Sequence, residues 1–375
     1  MNKFQNKKHN LNTQDVLSMK SSGYYSQRTA GAKISIDNIQ PLMVQALKEI
    51  PNFSVLRMAD FGSADGGTSQ EMWANLVKEI RDSNDRKQIE ILYTDLASND
   101  FSTLFRTMQG MQGDINLAFQ NKFSDVFIHG CGTGFHKQLM SNDSLSLGFS
   151  ATAMHYVSQK PCQIKNHVHM VGANEFEKSK FKLQAQKDWE AILLNRAKEL
   201  VSGGRFICLN FGIDEKGRFL GNTGGHSMFD KFSFHWKKLE IEGIISNKEY
   251  IDATFAQHYR TVDEFLMPFK DPQSLISKTG LRLKSYKTSL TNCPYKKFYI
   301  QNKNSMTAAD YAKSLIPTMR SWSETVFRTA LYGRDENKIN KIIDLFYNSY
   351  QKEIADNPEG HSMDYIHVIM DIEKI

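Results

Sequence analysis

Short apolar runs alternate with helically spaced apolar positions through the first half of the chain. Runs of strand type lie at residues about 56–61, 89–96, 123–130 and 205–212. Helical spacing occupies residues about 35–49, 70–80, 99–108 and 188–200. Strands that alternate with helices in this way form a mostly parallel sheet with helices on both faces. The pattern therefore predicts a doubly wound, Rossmann-like α/β fold.

The pattern loosens beyond residue 212. A Gly/Asn-rich loop at 221–225 precedes a helix near 229–243, and helical spacing returns at 322–331. We expect residues 213–335 to form a mainly helical cap with the substrate pocket, mixed with core strands. A helix near 339–346 and a strand at 365–372 then return residues 336–375 to the core. Residues 1–15 are predicted to be a flexible N-terminus, and residues 16–212 an α/β core with an N-terminal lid segment.

One strand–turn–helix unit carries the strongest ligand signal. Asp60 ends the first strand, and Gly62, Gly66 and Gly67 precede the next helix. Glycines let the main chain approach a ligand closely, and the helix presents free backbone N–H groups there. The spacing fits neither G-x-G-x-x-G nor a P-loop, so a purely structural turn stays an alternative.

A second acid lies one helix further on. Asp95 follows the second strand, where a carboxylate is placed to accept hydrogen bonds from the two ribose hydroxyls of an adenosine. The alternative is that Asp95 only caps the next turn. Two acids at successive strand ends indicate an adenosine-bearing cofactor without a polyphosphate. S-adenosylmethionine fits this description best.

Composition and charge narrow the class of protein. The chain has 375 residues, a formal net charge of +6 and 23% charged residues, as expected for a soluble globular protein. Because no basic stripe with interleaved aromatic residues is present, we expect no nucleic-acid partner. The alternation of Arg282, Lys284 and Lys287 with apolar residues is typical of the solvated face of a strand.

The cysteine pattern bears on compartment and metal binding. The four cysteines are widely separated, without C-x-x-C or zinc-type spacing: Cys131, Cys162, Cys208 and Cys293. They are predicted to be reduced thiols of a cytoplasmic protein. No apolar run reaches transmembrane length, so we expect no membrane partner. We expect no metal, since no convincing set of metal ligands is visible in the sequence.

Several blocks resemble the SABATH family of plant-type carboxyl methyltransferases, which methylates salicylic, benzoic and jasmonic acids and, in one branch, xanthine nitrogens. They occur in family order, at Met19-Lys20 with Tyr25 and at residues 59–66, 94–101, 132–135, 144–161 and 196–205. The resemblance implies a class I methyltransferase sheet, S-adenosylmethionine as cofactor, a small carboxylic acid as acceptor and a homodimer.

The resemblance also implies a set of cofactor-binding residues. Asp95 would hold the ribose, and Leu96, Gly134 and Phe135 would hold the adenine. The full set consists of Tyr25, Asp60, Gly62, Ser63, Thr68, Asp95, Leu96, Gly134 and Phe135. Thr68 stands where the family usually has Asn, and Gly134 where it has Ser, so these contacts are left to the backbone or are lost.

The acceptor side departs further from the family. Members that methylate carboxylates grip the acid with a Gln and a Trp, at positions that are Ala32 and Tyr156 in this chain. The resemblance places Lys20, Ala32, His155 and Tyr156 at the acceptor, with His155 and Tyr156 as the catalytic, acceptor-positioning pair. Either of these two side chains could alternatively be a packed core residue.

Three functions remain open from the sequence. A carboxylate is ionised at neutral pH and needs no general base, so alignment and exclusion of water suffice for methyl-ester formation. An amine or a phenol must lose a proton, which His155 or Tyr156 would accept. The third alternative is a non-catalytic, cofactor-binding member of the fold. The favoured prediction is a carboxyl O-methyltransferase.

Overall fold

A computed structural model describes residues 24–375 of the chain. The predictions for residues 1–15 and for Lys20 lie outside the described residues. An eight-stranded mixed sheet forms the centre of the molecule. Its strands are β1 Val55–Phe61, β2 Gln88–Thr94, β3 Val126–Cys131, β4 Leu145–Ala151, β5 Leu200–Ile213, β6 Arg260–Thr261, β7 Leu281–Thr291 and β8 Tyr365–Lys374.

The strand order is β3-β2-β1-β4-β5-β8-β7, and the two-residue β6 pairs with β5. The first five strands are parallel to one another, and β8 runs antiparallel to both β5 and β7. Since β2 and β4 lie on opposite sides of β1, the strand order reverses there. In open α/β sheets, ligands bind outside the carboxyl ends of the strands at such a switch point.

Helices cover the sheet and build the cap. Within residues 24–375 they are α1 Tyr24–Arg28, α2 Ala30–Asp37, α3 Gln40–Glu49, α4 Gln70–Asp82, α5 Phe101–Met108, α6 Glu175–Glu199, α7 Met228–Ile241, α8 Asn247–Asp252, α9 Val262–Lys270, α10 Leu275–Lys278, α11 Pro294–Gln301, α12 Ala308–Ala330 and α13 Glu336–Asp356. None of these has the length and apolar character that crossing a membrane requires. The predicted doubly wound α/β class is confirmed.

Two helices begin earlier than their apolar spacing suggested. Helix α6 was expected from residue 188 but begins at Glu175, where Asn174 and Glu177 form a capping box. Helix α12 was expected from residue 322 but begins at Ala308 and includes Pro317. A capping box satisfies backbone donors that the first turn leaves free. The capping residues therefore mark these starts better than the apolar pattern does.

Three apolar clusters hold the molecule together. One packs α3, α4 and α5 against the sheet, and a second packs α6 and α9 against it. The third is rich in aromatic residues and joins α7, α8, α12 and α13 into the cap. Strand β7 closes one edge of the sheet, and its Arg282, Lys284 and Lys287 are exposed as predicted. The domain boundaries drawn from the sequence stay predictions.

Candidate active site

A deep cleft opens at the carboxyl ends of β1, β2 and β4, at the switch point of the sheet. It encloses about 1100 Å³ of empty space, including its solvent-open mouth. Its lining comes mainly from the turn after β1 and from the loops after β2, β3 and β4. Ligand cavities commonly occupy this position in α/β folds.

The glycine turn leaves no room for larger residues. Gly62 has a φ of +84°, and a Cβ built on it would lie 2.5 Å from the Cβ of Ala153. A Cβ on Gly67 would lie 2.6 Å from the side chain of Ser26. These glycines thus bring the β1–α4 turn, the loop after β4 and the N-terminal segment into contact.

Asp60 and Asp95 provide the negative charge of the cleft. The Oδ2 atom of Asp60 accepts hydrogen bonds from Ser69 Oγ at 2.6 Å and from Trp73 Nε1 at 2.9 Å. Burial is the main reason that the pKa of Asp60 is raised to about 6. Asp95 accepts from the backbone N–H groups of Ala64 and Leu96, each at 2.7 Å, and burial also raises its pKa.

This arrangement fits the predicted cofactor. S-adenosylmethionine carries a sulfonium, an ammonium group and two ribose hydroxyls. Buried carboxylates with raised pKa values gain from a nearby cation, because an opposite charge stabilises the ionised form. Asp60 and Asp95 both line the cleft, so the charge and the hydrogen-bond acceptors that this cofactor needs are present.

The N-terminal segment closes over the cleft. The backbone N–H of Ser26 donates to Asp65 Oδ2 at 3.1 Å, and Tyr295 Oη donates to the carbonyl of Arg28 at 2.7 Å. Tyr25 therefore projects into the site from a segment that is tied down on both sides. Burial raises the pKa of Tyr25 to about 12, so its hydroxyl is protonated at neutral pH.

A buried ion pair holds the loop after β3 in place. Arg196 binds Glu199 through two nitrogens, at 2.6 and 2.8 Å, and donates to the carbonyls of Phe135 and Lys137. Glu199 in turn accepts from the N–H of Leu139 at 2.5 Å. From the sequence, these two residues stood out only as part of the block at 196–205 that resembles the family, and their ion pair was not predicted. The structure shows that they fix the loop after β3.

A second cavity of about 350 Å³ adjoins the cleft, and we call it the chamber. Tyr25, Thr152 and Tyr156 line both cavities. Thr152 has a φ of +51°, a strained conformation for a non-glycine residue that is typical of functional sites. The remaining chamber walls are Thr29, His155, Phe211, Leu220, Gln257, Tyr259, Trp322, Met363 and Tyr365.

The chamber is apolar but contains polar atoms that need partners. Among the described residues, four of its buried polar atoms make no hydrogen bond: His155 Nδ1, Gln257 Oε1, Tyr259 Oη and Trp322 Nε1. Leaving such atoms buried and unpaired costs about 1–3 kcal/mol each. A bound molecule that pairs with some of them recovers this free energy, so the chamber is suited to a small, partly polar molecule.

The ionisation states in the chamber are set by burial. The pKa of His155 lies well below its usual value because the ring is buried and faces the Arg260 guanidinium. The pKa values of Tyr156 and Tyr259 are raised, again mainly by burial. At neutral pH the histidine is therefore an uncharged imidazole and both tyrosines are protonated phenols. None of the residues that line the chamber is charged.

The structure brings most of the predicted site residues together. The nine residues predicted to bind the cofactor all line the cleft, and Tyr156 lines both cavities while His155 lines the chamber. Ala32 is 1% exposed within the cap cluster and lines neither cavity. Lys20 lies outside the described residues. The individual roles stay predictions.

Several lining residues were missed from the sequence. Thr152 follows β4 without a motif, and its positive φ is visible only in the structure. Gln257, Tyr259 and Trp322 come from the cap, where the sequence pattern could not place side chains. Within residues 24–375, no group of three or more His, Cys, Asp or Glu side chains is arranged to hold a metal ion.

Comparison with known proteins identifies relatives of the chain. A probable S-adenosylmethionine-dependent methyltransferase of Arabidopsis thaliana is 26% identical over 49% of the chain and 56% of its own length. Loganic acid O-methyltransferase of Catharanthus roseus is 23% identical over 65% of the chain and 68% of its own length. Salicylate/benzoate carboxyl methyltransferase of Arabidopsis thaliana is 25% identical over 68% of both. The chain spans only 56–58% of the length of several relatives.

A solved structure and a family match complete the comparison. The structure of loganic acid methyltransferase with S-adenosylhomocysteine superposes with a TM-score of 0.71 at 18% identity, covering 96% of this chain and 98% of that one. This agreement supports the class I methyltransferase fold. Residues 18–375 match the family described as SAM dependent carboxyl methyltransferase. The match covers nearly the whole chain, and the chain therefore belongs to this S-adenosylmethionine-dependent carboxyl methyltransferase family.

Proposed function

We propose that the protein transfers a methyl group from S-adenosylmethionine to the carboxylate of a small organic acid and forms a methyl ester. The observation that carries this proposal is the junction of the two cavities. Tyr25, Thr152 and Tyr156 are shared by the acid-lined cleft and the apolar chamber. A cofactor in the cleft and an acceptor in the chamber would therefore meet at these three side chains.

The residues of the cleft would bind and orient the cofactor. When bound, S-adenosylmethionine supplies an electrophilic methyl group that a carboxylate oxygen accepts without loss of a proton. Asp95 would accept hydrogen bonds from the ribose hydroxyls, and Asp60 would offset the positive charge of the cofactor. Leu96, Gly134 and Phe135 would hold the adenine, and Arg196 fixes the loop that carries Phe135.

The chemistry of the chamber favours a carboxylate over an amine or a phenol. An acceptor that must lose a proton needs a base that is active near neutral pH. His155 is a poor base because burial holds its pKa well below the usual value, and the phenols of Tyr156 and Tyr259 remain protonated. A carboxylate needs only hydrogen-bond donors and exclusion of water. Relatives named for loganic acid, salicylate and benzoate support the same choice.

A labelled-methyl assay tests the proposal. Purified protein would be incubated with methyl-labelled S-adenosylmethionine and a panel of aromatic, isoprenoid and short-chain acids, amines and phenols. Each product would then be treated with mild alkali. The expected result is labelled methanol released from the product of at least one acid. Alkali-stable label would instead assign N- or phenol O-methylation. Cofactor binding without transfer would favour a non-catalytic protein.

We also propose a homodimer in the cytoplasm, without a nucleic-acid or membrane partner. The family resemblance supports the dimer, and the free cysteines Cys131, Cys162, Cys208 and Cys293 are compatible with a reducing compartment. Light scattering coupled to size exclusion would report a mass of about 86 kDa for a dimer, twice the 43.0 kDa of the chain. A monomer mass would contradict this part of the proposal.

A further inference from the structure

An amide side chain from the cap lies beside Tyr156 at the junction of the cleft and the chamber. Gln257 lies in the loop between α8 and β6 and is only 1% exposed. It pairs with Tyr156 in an isolated antiparallel bridge. Val157 N donates to the carbonyl of Ala256 at 3.0 Å, and His258 N donates to the carbonyl of His155 at 2.9 Å. The main-chain bonds thus flank the Tyr156–Gln257 pair on both sides.

This bond pattern determines where the two side chains lie. Bonds that flank an antiparallel pair define a non-hydrogen-bonded pair, in which opposed Cα atoms are only about 4.5 Å apart and the side chains share one face. Both residues line the chamber, and Tyr156 also lines the cleft. An amide and a phenol therefore lie side by side next to the place where transfer would occur.

The oxygen of this amide is unpaired among the described residues, and a neutral histidine lies nearby. His169 is fully buried and stacked on Phe229, with ring centroids 3.8 Å apart. Burial lowers the pKa of His169 well below its usual value, so the ring places no positive charge beside the amide. Because Gln257 Oε1 makes no hydrogen bond to any described residue, no such partner fixes the oxygen, and the NH₂ group can face Tyr156 and the chamber.

The position that the family resemblance assigns to an amide is occupied here by Ala32, which has no polar side chain. Ala32 is buried within the cap cluster and lines neither cavity. A carboxylate in the chamber must therefore find its donors elsewhere. Its two oxygens offer about four acceptor sites, so one oxygen can receive donors while the other faces the cleft.

We propose that Gln257 and Tyr156 together bind the acceptor carboxylate, with the amide N–H and the phenol O–H as the two hydrogen-bond donors. This inference rests on the proposed carboxyl methylation. It assigns to Gln257 a substrate-binding role that replaces the amide absent at Ala32. It also restricts the acceptor to an acid whose carboxylate reaches the junction while the rest of the molecule fills the aromatic chamber.

Two substitutions at Gln257 test the assignment. Gln257→Leu removes the donor at nearly constant volume and is expected to lower kcat/KM for benzoate, or for the panel acid methylated fastest, about 10- to 100-fold. Affinity for S-adenosylhomocysteine should stay within about twofold of wild type, since Gln257 does not line the cleft. Gln120→Leu is the matched control, because Gln120 lines neither cavity and its amide donates to the carbonyl of Val126 in β3.

Gln257→Glu provides a readout that a purely structural glutamine would not produce. A protonated carboxyl group has nearly the shape of the amide and donates a hydrogen bond, whereas the ionised form repels an acidic acceptor. With saturating S-adenosylmethionine, activity of this variant relative to wild type should therefore rise at least tenfold from pH 8 to pH 5.5. His155 and His169, with lowered pKa values, and Tyr156 and Tyr259, with raised ones, should not titrate in this range.

The outcomes separate this inference from the proposed function. Wild-type methylation of an acid together with an unchanged kcat/KM for Gln257→Leu would overturn the inference alone. A Gln257→Glu variant whose activity relative to wild type is independent of pH would also overturn it. Absence of any acid methylation by the wild-type protein, with S-adenosylhomocysteine still bound, would overturn the proposed function and the inference together.

Discussion

Asp60 offers a test in which stability and cofactor binding should change in opposite directions. Its carboxylate is 2% exposed and accepts hydrogen bonds from Ser69 and Trp73 through a single oxygen. Asp60→Asn keeps an oxygen that can accept both bonds and removes the charge. We expect the variant to be more stable than wild type above pH 6 but to bind S-adenosylhomocysteine about 10- to 100-fold more weakly, because the ammonium group of the ligand loses its counter-charge.

The magnitude follows from the pKa of Asp60, which rises from 3.8 to about 6 on folding. Each pKa unit corresponds to about 1.4 kcal/mol, so keeping this carboxylate ionised in the folded state costs about 3 kcal/mol at pH 8. The raised folded-state pKa means that the stabilising proton is fully bound below about pH 3.8 and is lost as the pH rises through about 6. At pH 5, where most of the folded protein carries this proton, the raised pKa lowers the free energy of unfolding by only about 1.6 kcal/mol.

Urea denaturation of wild type and Asp60→Asn at pH 5 and pH 8 measures this difference. The stability advantage of the variant should be larger at pH 8 by about 1.4 kcal/mol. The hydrogen bonds from Ser69 and Trp73 already contribute to the pKa of Asp60, so they do not change this difference between the two pH values. Asp82→Asn, on the solvated end of α4, is the control and should show no such gain. A variant less stable than wild type at pH 8 would refute the reasoning.

Four further substitutions test the remaining assignments. Asp95→Ala should weaken binding of S-adenosylhomocysteine about 10- to 100-fold in calorimetry, since the ribose hydroxyls lose a charged acceptor; unchanged affinity would rule out the ribose role. Tyr156→Phe should lower kcat/KM for an acid about tenfold and leave that affinity within about twofold, as measured by kinetics and calorimetry. Gly62→Ala should lower the free energy of unfolding by about 1–3 kcal/mol, because alanine is strained at a φ of +84° and would collide with Ala153; thermal unfolding measures this. His155→Asn should leave the shape of the pH–rate profile between pH 6 and 8 the same as that of wild type. If wild type shows a change of rate near pH 6.5 that the variant lacks, His155 acts as a general base.

Much of the cofactor cleft was predictable because its residues belong to consecutive strand–turn–helix units. Asp60, Gly62 and Asp95 are each fixed in position by the end of a strand. Neighbouring parallel strands bring their carboxyl ends to one edge of the sheet, so local patterns in β1 and β2 already define a shared site. Tyr25, Gly134 and Phe135 line the same cleft, but these residues were predicted only through the family resemblance.

Strand β7 and the starts of helices α6 and α12 show what a local sequence pattern can predict and what it misses. The alternation around Arg282 correctly predicted a strand with a solvated face, since side chains in a strand point alternately to opposite sides. The first halves of α6 and α12 were missed, because they contain polar stretches and Pro317 that interrupt the apolar spacing. Their capping boxes were present in the sequence but carried less weight than the apolar pattern.

By itself, the sequence determined the α/β class, the acids and glycines of the cofactor cleft and the family resemblance. These features depend on spacing along a continuous stretch of chain. Only the tertiary structure decided the acceptor side. The chamber unites Thr29, Phe211, Trp322 and Tyr365 from distant segments, and Gln257 reaches Tyr156 through pairing of loops a hundred residues apart. Contacts between distant segments depend on how helices and strands pack, and neither hydrophobic periodicity nor motif spacing records that packing.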